Sequence, residues 1–144
     1  MFISQTSKNA IRILSYLAKT DNKISTEQIA SHLKISVKNV RKIIFLLLKA
    51  GFVNSIQGKN GGYFLVYQPQ DIYIIQIIEA IDGLEKYNQC IFGYEECNEQ
   101  NPCPLHYEWI KIKAKFMNFI SSVNLEKIIE NENLINSNVY NRNT

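Results

Sequence analysis

Between Ser36 and Gly51 the chain carries a helix whose two ends and inner face are all fixed by residue type. Ser36 is an N-cap residue. Gly51 sits where a left-handed C-terminal residue is wanted. Val40, Ile43, Ile44 and Leu47 recur at the spacing of one buried stripe. The flanks restrict the fold further. Upstream, Ser25-Thr26-Glu27-Gln28 has the form of a capping box opening a short helix with Ile29, Ala30 and Leu33 inward, and Lys34-Ile35 is the turn between the two helices. Before that, Ala10, Ile13, Leu14 and Leu17 predict an amphipathic helix over 7–19. Downstream, residues 52–57 and 63–67 are strand-like, and Gly58-Lys59-Asn60-Gly61-Gly62 is a turn between them. Two short helices joined by a tight turn and followed at once by a hairpin predict a winged helix-turn-helix over residues 1–68.

The rest of the chain divides by composition. Residues 69–83 read as a connecting helix, Ile72 to Asp82, ended by Gly83. Residues 84–104 form a loop rich in Asn, Glu, Gly and Pro, a length that in a small domain points to function. A long helix follows from about Pro104 to Ser122, and its end extends to about residue 130. It sets Trp109, Ile112, Phe116, Phe119, Ile120 and Val123 on one face, which must pack on its own domain or on a second chain. From Asn131 to Thr144 the Asn-rich sequence predicts a disordered tail.

Charge is divided the same way. Residues 1–67 carry ten Lys/Arg against two acids, a net of +8, whereas residues 68–144 carry six against eleven, a net of −5. A basic half points to a polyanion. The outer face of the Ser36–Gly51 helix presents Lys38, Asn39, Arg41 and Lys42 near its start, where helix-turn-helix proteins enter the major groove; Asn pairs with adenine, Arg and Lys with guanine. Lys59 at the hairpin tip, and Lys8 and Arg12 on the first helix, are further candidate DNA contacts. His32 reads as a surface residue without partners. No apolar run approaches the ~20 residues of a membrane span, and the start lacks the pattern of a signal peptide. Catalytic triad, phosphate-binding loop and HExxH patterns are absent, so an enzyme, an electron carrier and a small-molecule substrate are not expected.

All three cysteines lie in the loop, as Cys90-x6-Cys97-x5-Cys103-x2-His106. An odd count without a secretion pattern argues against a disulfide framework. Four soft ligands in one loop point to an iron–sulfur centre, and the spacing is not the close pairing of a zinc finger. A structural zinc, a thiol switch forming one disulfide, and inert thiols are the other readings of the same residues. Pro102 and Pro104 stiffen the chain at Cys103, and His106 stands where it can turn back to the same centre.

At this point the sequence resembles the Rrf2 family of bacterial transcription regulators, over about residues 1–130. Leu48-Lys49-Ala50-Gly51-Phe52-Val53-Asn54-Ser55-Ile56-Gln57-Gly58-Lys59-Asn60-Gly61-Gly62-Tyr63 is similar to the family's wing. Glu79 to Gly83, Cys103-Pro104-Leu105-His106 with Trp109, and Val123-Asn124-Leu125 match its later segments. The resemblance implies a mainly α fold with a small β-wing, a winged helix-turn-helix followed by a long dimerisation helix. It implies a cytoplasmic homodimeric repressor on a palindromic double-stranded operator. Trp109, Ile112, Phe116, Phe119 and Val123 would form the dimer interface. It also implies an iron–sulfur cluster on Cys90, Cys97, Cys103 and His106, [2Fe–2S] favoured over [4Fe–4S], since His106 occupies the fourth-ligand position of the iron–sulfur-biogenesis branch. The nitric-oxide-sensing branch has the same cysteines with a different fourth ligand. Two departures stand out. Gln57 replaces the arginine that most members place before the first wing glycine, a DNA-contact position, and the first cysteine gap is six residues where the biogenesis branch has five.

Overall fold

The computed structural model describes residues 3–137. Three helices open the chain: α1 (Gln5–Ala18), α2 (Thr26–Leu33) and α3 (Val37–Ala50). Each begins at a serine. The hydroxyls of Ser4, Ser25 and Ser36 accept from the backbone N–H of Ser7, Gln28 and Asn39, and the Gln28 side chain completes the capping box by accepting from the Ser25 N–H at 2.8 Å. Caps of this kind contribute about 1 kcal/mol each. The turn between α2 and α3 is closed by Lys34 in the left-handed conformation (φ 54°), the one non-glycine residue with positive φ among the described residues. Gly51 ends α3 at φ 85°.

The hairpin consists of β1 (Val53–Ile56) and β2 (Gly62–Leu65), paired antiparallel with Val53 opposite Leu65 and Ile56 opposite Gly62. It is held on its far side as well. Ile24, just before α2, exchanges two backbone hydrogen bonds with Tyr63, at 3.0 and 2.8 Å. Beneath the hairpin and α1–α3 lies the main core, in which Ile13, Leu14, Ile29, Val40, Ile44 and Leu47 are almost completely buried.

A short 3-10 turn (Pro69–Asp71) leads into α4 (Ile74–Asp82), and a second (Glu85–Asn88) leads into the cysteine loop. The last helices are α5 (His106–Ser122) and α6 (Leu125–Ser137). Helix α4 belongs to both halves of the molecule. Ile77 joins the main core, while Ile74 and Ile78 pack with Tyr87 and Ile120 in a smaller one. Two backbone hydrogen bonds fasten the junction, Ile74 N–H to Val123 O at 3.0 Å and Leu125 N–H to Ile72 O at 2.9 Å.

Helix α6 differs from the sequence expectation. Little order was expected from Asn131 onward, yet the helix continues to Ser137; the remainder of that tail lies outside the described residues. Leu125 and Ile128 seat α6 on the main core, and Lys19 at the end of α1 forms an ion pair with Glu132. Apolar docking at the start of a helix carries an otherwise polar continuation.

One carboxylate ties these parts together. Asp82, the last residue of α4, accepts from Ser4 Oγ at 2.6 Å, from Ser7 Oγ at 2.8 Å and from Lys86 Nζ at 3.0 Å. Ser7 is completely buried. Burial works to raise the Asp82 carboxyl, but the hydrogen bonds from Ser4, Lys86 and Ser7 outweigh it and hold the group below its ordinary value. A carboxylate depressed by folding stabilises the fold above its unfolded pKa, near 3.8, and that contribution fades as pH falls through the lower folded value. Asp82→Asn is therefore expected to cost about 1–2 kcal/mol at neutral pH. In paired urea titrations from pH 7 to pH 3, the gap between wild type and variant should narrow only below about pH 4; a gap independent of pH would contradict a charged Asp82.

Candidate functional site

The outer side of α3 is basic and solvent-facing. Lys38, Asn39, Arg41 and Lys42 are all exposed, opposite the buried stripe of Val40, Ile43, Ile44 and Leu47. The serine cap at Ser36 fixes where this face begins. Arg41 leans toward Glu27 of α2 (3.6 Å), an exposed pair that contributes little to stability but influences where the guanidinium points. Gln57 and Lys59 are exposed at the hairpin tip on the side of the chain that follows α3.

The two α1 candidates are placed differently from this face. Arg12 donates to the carbonyl of Leu33 at 2.8 Å and to Asn9 at 3.4 Å, so its guanidinium also closes the C-terminal end of α2. Lys8 is half-buried. His32 is exposed but not solitary; its ring stacks on Tyr16 with centroids 4.0 Å apart. Sequence reasoning passed over Phe45. It is 62 % exposed on α3, and its place three and seven residues beyond Lys42 and Lys38 was the signal.

The cysteine loop sets its four candidate ligands near the head of α5 as two pairs, Cys97 with His106 and Cys90 with Cys103. Cys90 and Cys103 are buried, Cys97 is half-buried, and His106 is 3 % exposed. Cys97 Sγ lies 3.4 Å from His106 Nδ1, and the Cys90 and Cys103 thiols are close enough to hydrogen-bond. The backbone sets this up. The Cys97 N–H donates to Asn88 O, the His106 N–H donates to Cys103 O, and a tight turn closes from Gly93 N–H to Cys90 O.

Electrostatics separate the two buried thiols. Burial works to raise Cys90, but the N–H groups of Tyr94, Phe92 and Gly93, with the Cys103 thiol, are directed at its sulfur and bring it below the ordinary thiol value. Cys103 is raised, first by burial and then by Cys90 and Cys97, against the Leu105 N–H. The donor set, three soft sulfurs and one imidazole ringed by backbone N–H groups, fits an iron–sulfur group in its chemistry. Among the described residues, no three His, Cys, Asp or Glu side chains close on a common point as a single metal ion requires.

On α5, Phe116 and Val123 turn inward against the smaller core of the same chain, whereas Ile112 and Phe119 are exposed and Trp109 is half-buried. The stripe expected as one buried face is thus divided between an inner edge on α4 and an outer edge. No helix among the described residues is long and apolar enough to cross a membrane.

Residues 3–131 match a family of transcription regulators described as Rrf2, iron-dependent transcriptional regulator. A regulator from Aquifex aeolicus, a putative helix-turn-helix type transcriptional regulator, is 33 % identical over 92 % of this chain and 94 % of its own length. The transcriptional regulator IscR of Photorhabdus laumondii is 29 % identical over 70 % of this chain, a match spanning 61 % of that protein's length. Among solved structures, CymR, the global cysteine regulator of B. subtilis, superposes with a TM-score of 0.77 at 26 % identity, covering 90 % of this chain and 97 % of that one. Fold and relatives together define a winged-helix, DNA-binding transcription regulator. Within that class, the chain belongs to the Rrf2 family.

The wing supplies a test of this architecture. A Cβ on Gly62, at φ 150°, would lie 2.8–2.9 Å from the backbone of Ile24, where no side-chain rotation can relieve it. Gly62→Ala is expected to lower stability by about 2 kcal/mol and to weaken DNA binding, read from a urea midpoint and an anisotropy titration. Unchanged values in both would show that the Ile24–Tyr63 attachment does not hold the wing.

Proposed function

We propose that this regulator is a homodimeric repressor, acting in the bacterial cytoplasm, whose hold on a palindromic operator is gated by an iron–sulfur cluster on Cys90, Cys97, Cys103 and His106. The observation that carries the reading is the pairing of Cys97 with the buried imidazole of His106 at the start of α5, with the buried Cys90 and Cys103 thiols near them. The [2Fe–2S] form is favoured, because an imidazole accompanies the three cysteines. A bound iron–sulfur centre supplies a cross-link that is sensitive to oxidation, nitric oxide and iron supply.

The chain's own residues turn that cross-link into a change in DNA binding. Cys90 and Cys97 belong to the loop, Cys103 lies three residues before α5, and His106 is the first residue of α5. While the four are held together, the loop is pinned to the helix. Once they are released, the loop between them is slack, while its first end stays anchored through Lys86 to Asp82 and so to Ser4 and Ser7 of the DNA-binding half. The exposed edge of α5, with Ile112 and Phe119, meets the second copy. A shift of α5 against α1 then alters the distance between the two copies of α3. Half-sites one helical turn apart, ~34 Å, tolerate little change in that distance. Lys38, Asn39, Arg41 and Lys42 read or hold the major groove; Lys59 contacts a phosphate or the minor groove, with Gln57 at the neighbouring wing position, and Lys8 and Arg12 reach the backbone.

A second reading is favoured by the nearness of the two buried thiols, Cys90 and Cys103, each of which influences the other's charge. Oxidation to a disulfide between them would make the regulator a thiol switch without a cluster, in keeping with its likeness to a regulator described by its role in cysteine control.

The deciding experiment is the visible spectrum of protein purified without oxygen, with iron and sulfide assays on the same sample. The expected result is a coloured protein with about two iron and two sulfide per chain, and a His106→Ala variant whose spectrum is shifted and whose cluster is lost faster in air. A protein that stays colourless and iron-free after reconstitution overturns the cluster reading. If such a protein loses operator affinity with an oxidant and regains it with a thiol reductant, the disulfide reading stands instead.

A further inference from the structure

We propose that Phe45 is a sequence-reading contact of α3, packing against the C5-methyl groups of thymine in the major groove. The inference rests on the DNA-binding reading above. Phe45 is 62 % exposed in the middle of a well-ended helix. At about 100° per residue, Lys38, Lys42, Phe45 and Lys49 fall within about 60° of one another on one outer stripe, with Arg41 at its edge. That stripe lies opposite the buried Val40, Ile43, Ile44 and Leu47, so the ring is turned away from the core and contributes nothing to it.

Charge names the occupant of this surface. Phe45 is surrounded on its own helix by Lys38, Arg41, Lys42 and Lys49, all of them exposed. A protein partner that buried the ring would have to desolvate those cations. A nucleic acid meets them with phosphates and presents, between its two backbones, the apolar thymine methyl as the group an aromatic side chain can match. Phe45 stands about 10 Å along the helix axis from Lys38, at the 1.5 Å rise of an α-helix. A helix lying along the groove therefore carries it past the bases reached by the first turn, to a neighbouring step. The proposed outcome is a preference for thymine at one or two positions in each half-site, inward or outward of the positions read by Lys38 to Lys42.

The test isolates one methyl group. Random duplexes are selected with the full-length chain, prepared without oxygen and again after removal of metal by a chelator, and the form that enriches a sequence is carried forward. Each thymine of the enriched site is then replaced by uracil, which removes only the C5-methyl. Affinities are measured by anisotropy at fixed salt for wild type and Phe45→Ala. The expected result is a three- to fivefold loss of wild-type affinity at one or two uracil positions, about the worth of one buried methyl, with no loss there for Phe45→Ala. Phe45→Leu should keep part of the discrimination. The melting temperature and the dependence on salt should not change, because no core contact and no phosphate contact is removed.

Uracil substitutions that affect both proteins equally, or neither, overturn the proposal while leaving DNA recognition intact. A wild-type chain that enriches no sequence in either form overturns the DNA-reading assignment itself. A Phe45→Ala chain that changes its oligomeric state in size-exclusion chromatography assigns the ring to a contact between copies instead, and likewise overturns the proposal.

Discussion

The Asp82 carboxylate is the point on which the two halves of the molecule meet. It takes hydrogen bonds from the first turn of α1 and from the turn that begins the cysteine loop, while closing α4 itself. Its oxygens are partly withdrawn from water, so the energy of these bonds is set by geometry more than by screening. Without such a tie, α4 would still pack through Ile77 and Ile78. The position of α1 relative to the loop would then depend only on apolar contacts, which are far less directional. The carboxylate makes the relation between the DNA-binding half and the cysteine loop a matter of hydrogen-bond lengths.

The cysteine centre has the same logic of placement. Its candidate ligands come in two pairs on either side of a boundary. Cys90 and Cys97 lie on irregular backbone, and Cys103 and His106 lie at the threshold of a 17-residue helix. The amide groups around Cys90 add a preference for negative charge on one sulfur. The cradle is therefore polarised even before anything is bound in it.

How much of this was legible depended on whether the signal was local. The N-caps at Ser25 and Ser36, the capping box and the glycine end of α3 are decided within four or five residues, and they stand where the sequence puts them; the cap of α1 at Ser4 was not read. The hairpin was legible for the same reason, from its two strand-like runs and the glycine-rich turn; its register was not read. The Asp82 cluster was not, because its partners are 75 and 78 residues apart and each is an ordinary polar residue taken alone. Helix α6 was hidden by its composition, since its Asn and Glu residues are neutral to helix formation and only the docking of Leu125 and Ile128 decides the matter. That the cysteines and His106 share one short stretch was visible from spacing. The pairing of Cys90 with Cys103, and of Cys97 with His106, depends on how the loop turns at Gly93 and was not.

The attachment of Tyr63 to Ile24 has a consequence for the DNA as well as for the protein. An isolated two-stranded ribbon bends easily, but β2 is held on both sides, by β1 and by the segment that opens α2. The span from the outer face of α3 to the hairpin tip is thereby fixed by backbone hydrogen bonds. A duplex that touches both must adopt the groove width this span demands. The ease with which its base-pair steps do so differs from one sequence to another. Base pairs that no side chain reaches thus acquire a voice in affinity through their stiffness alone.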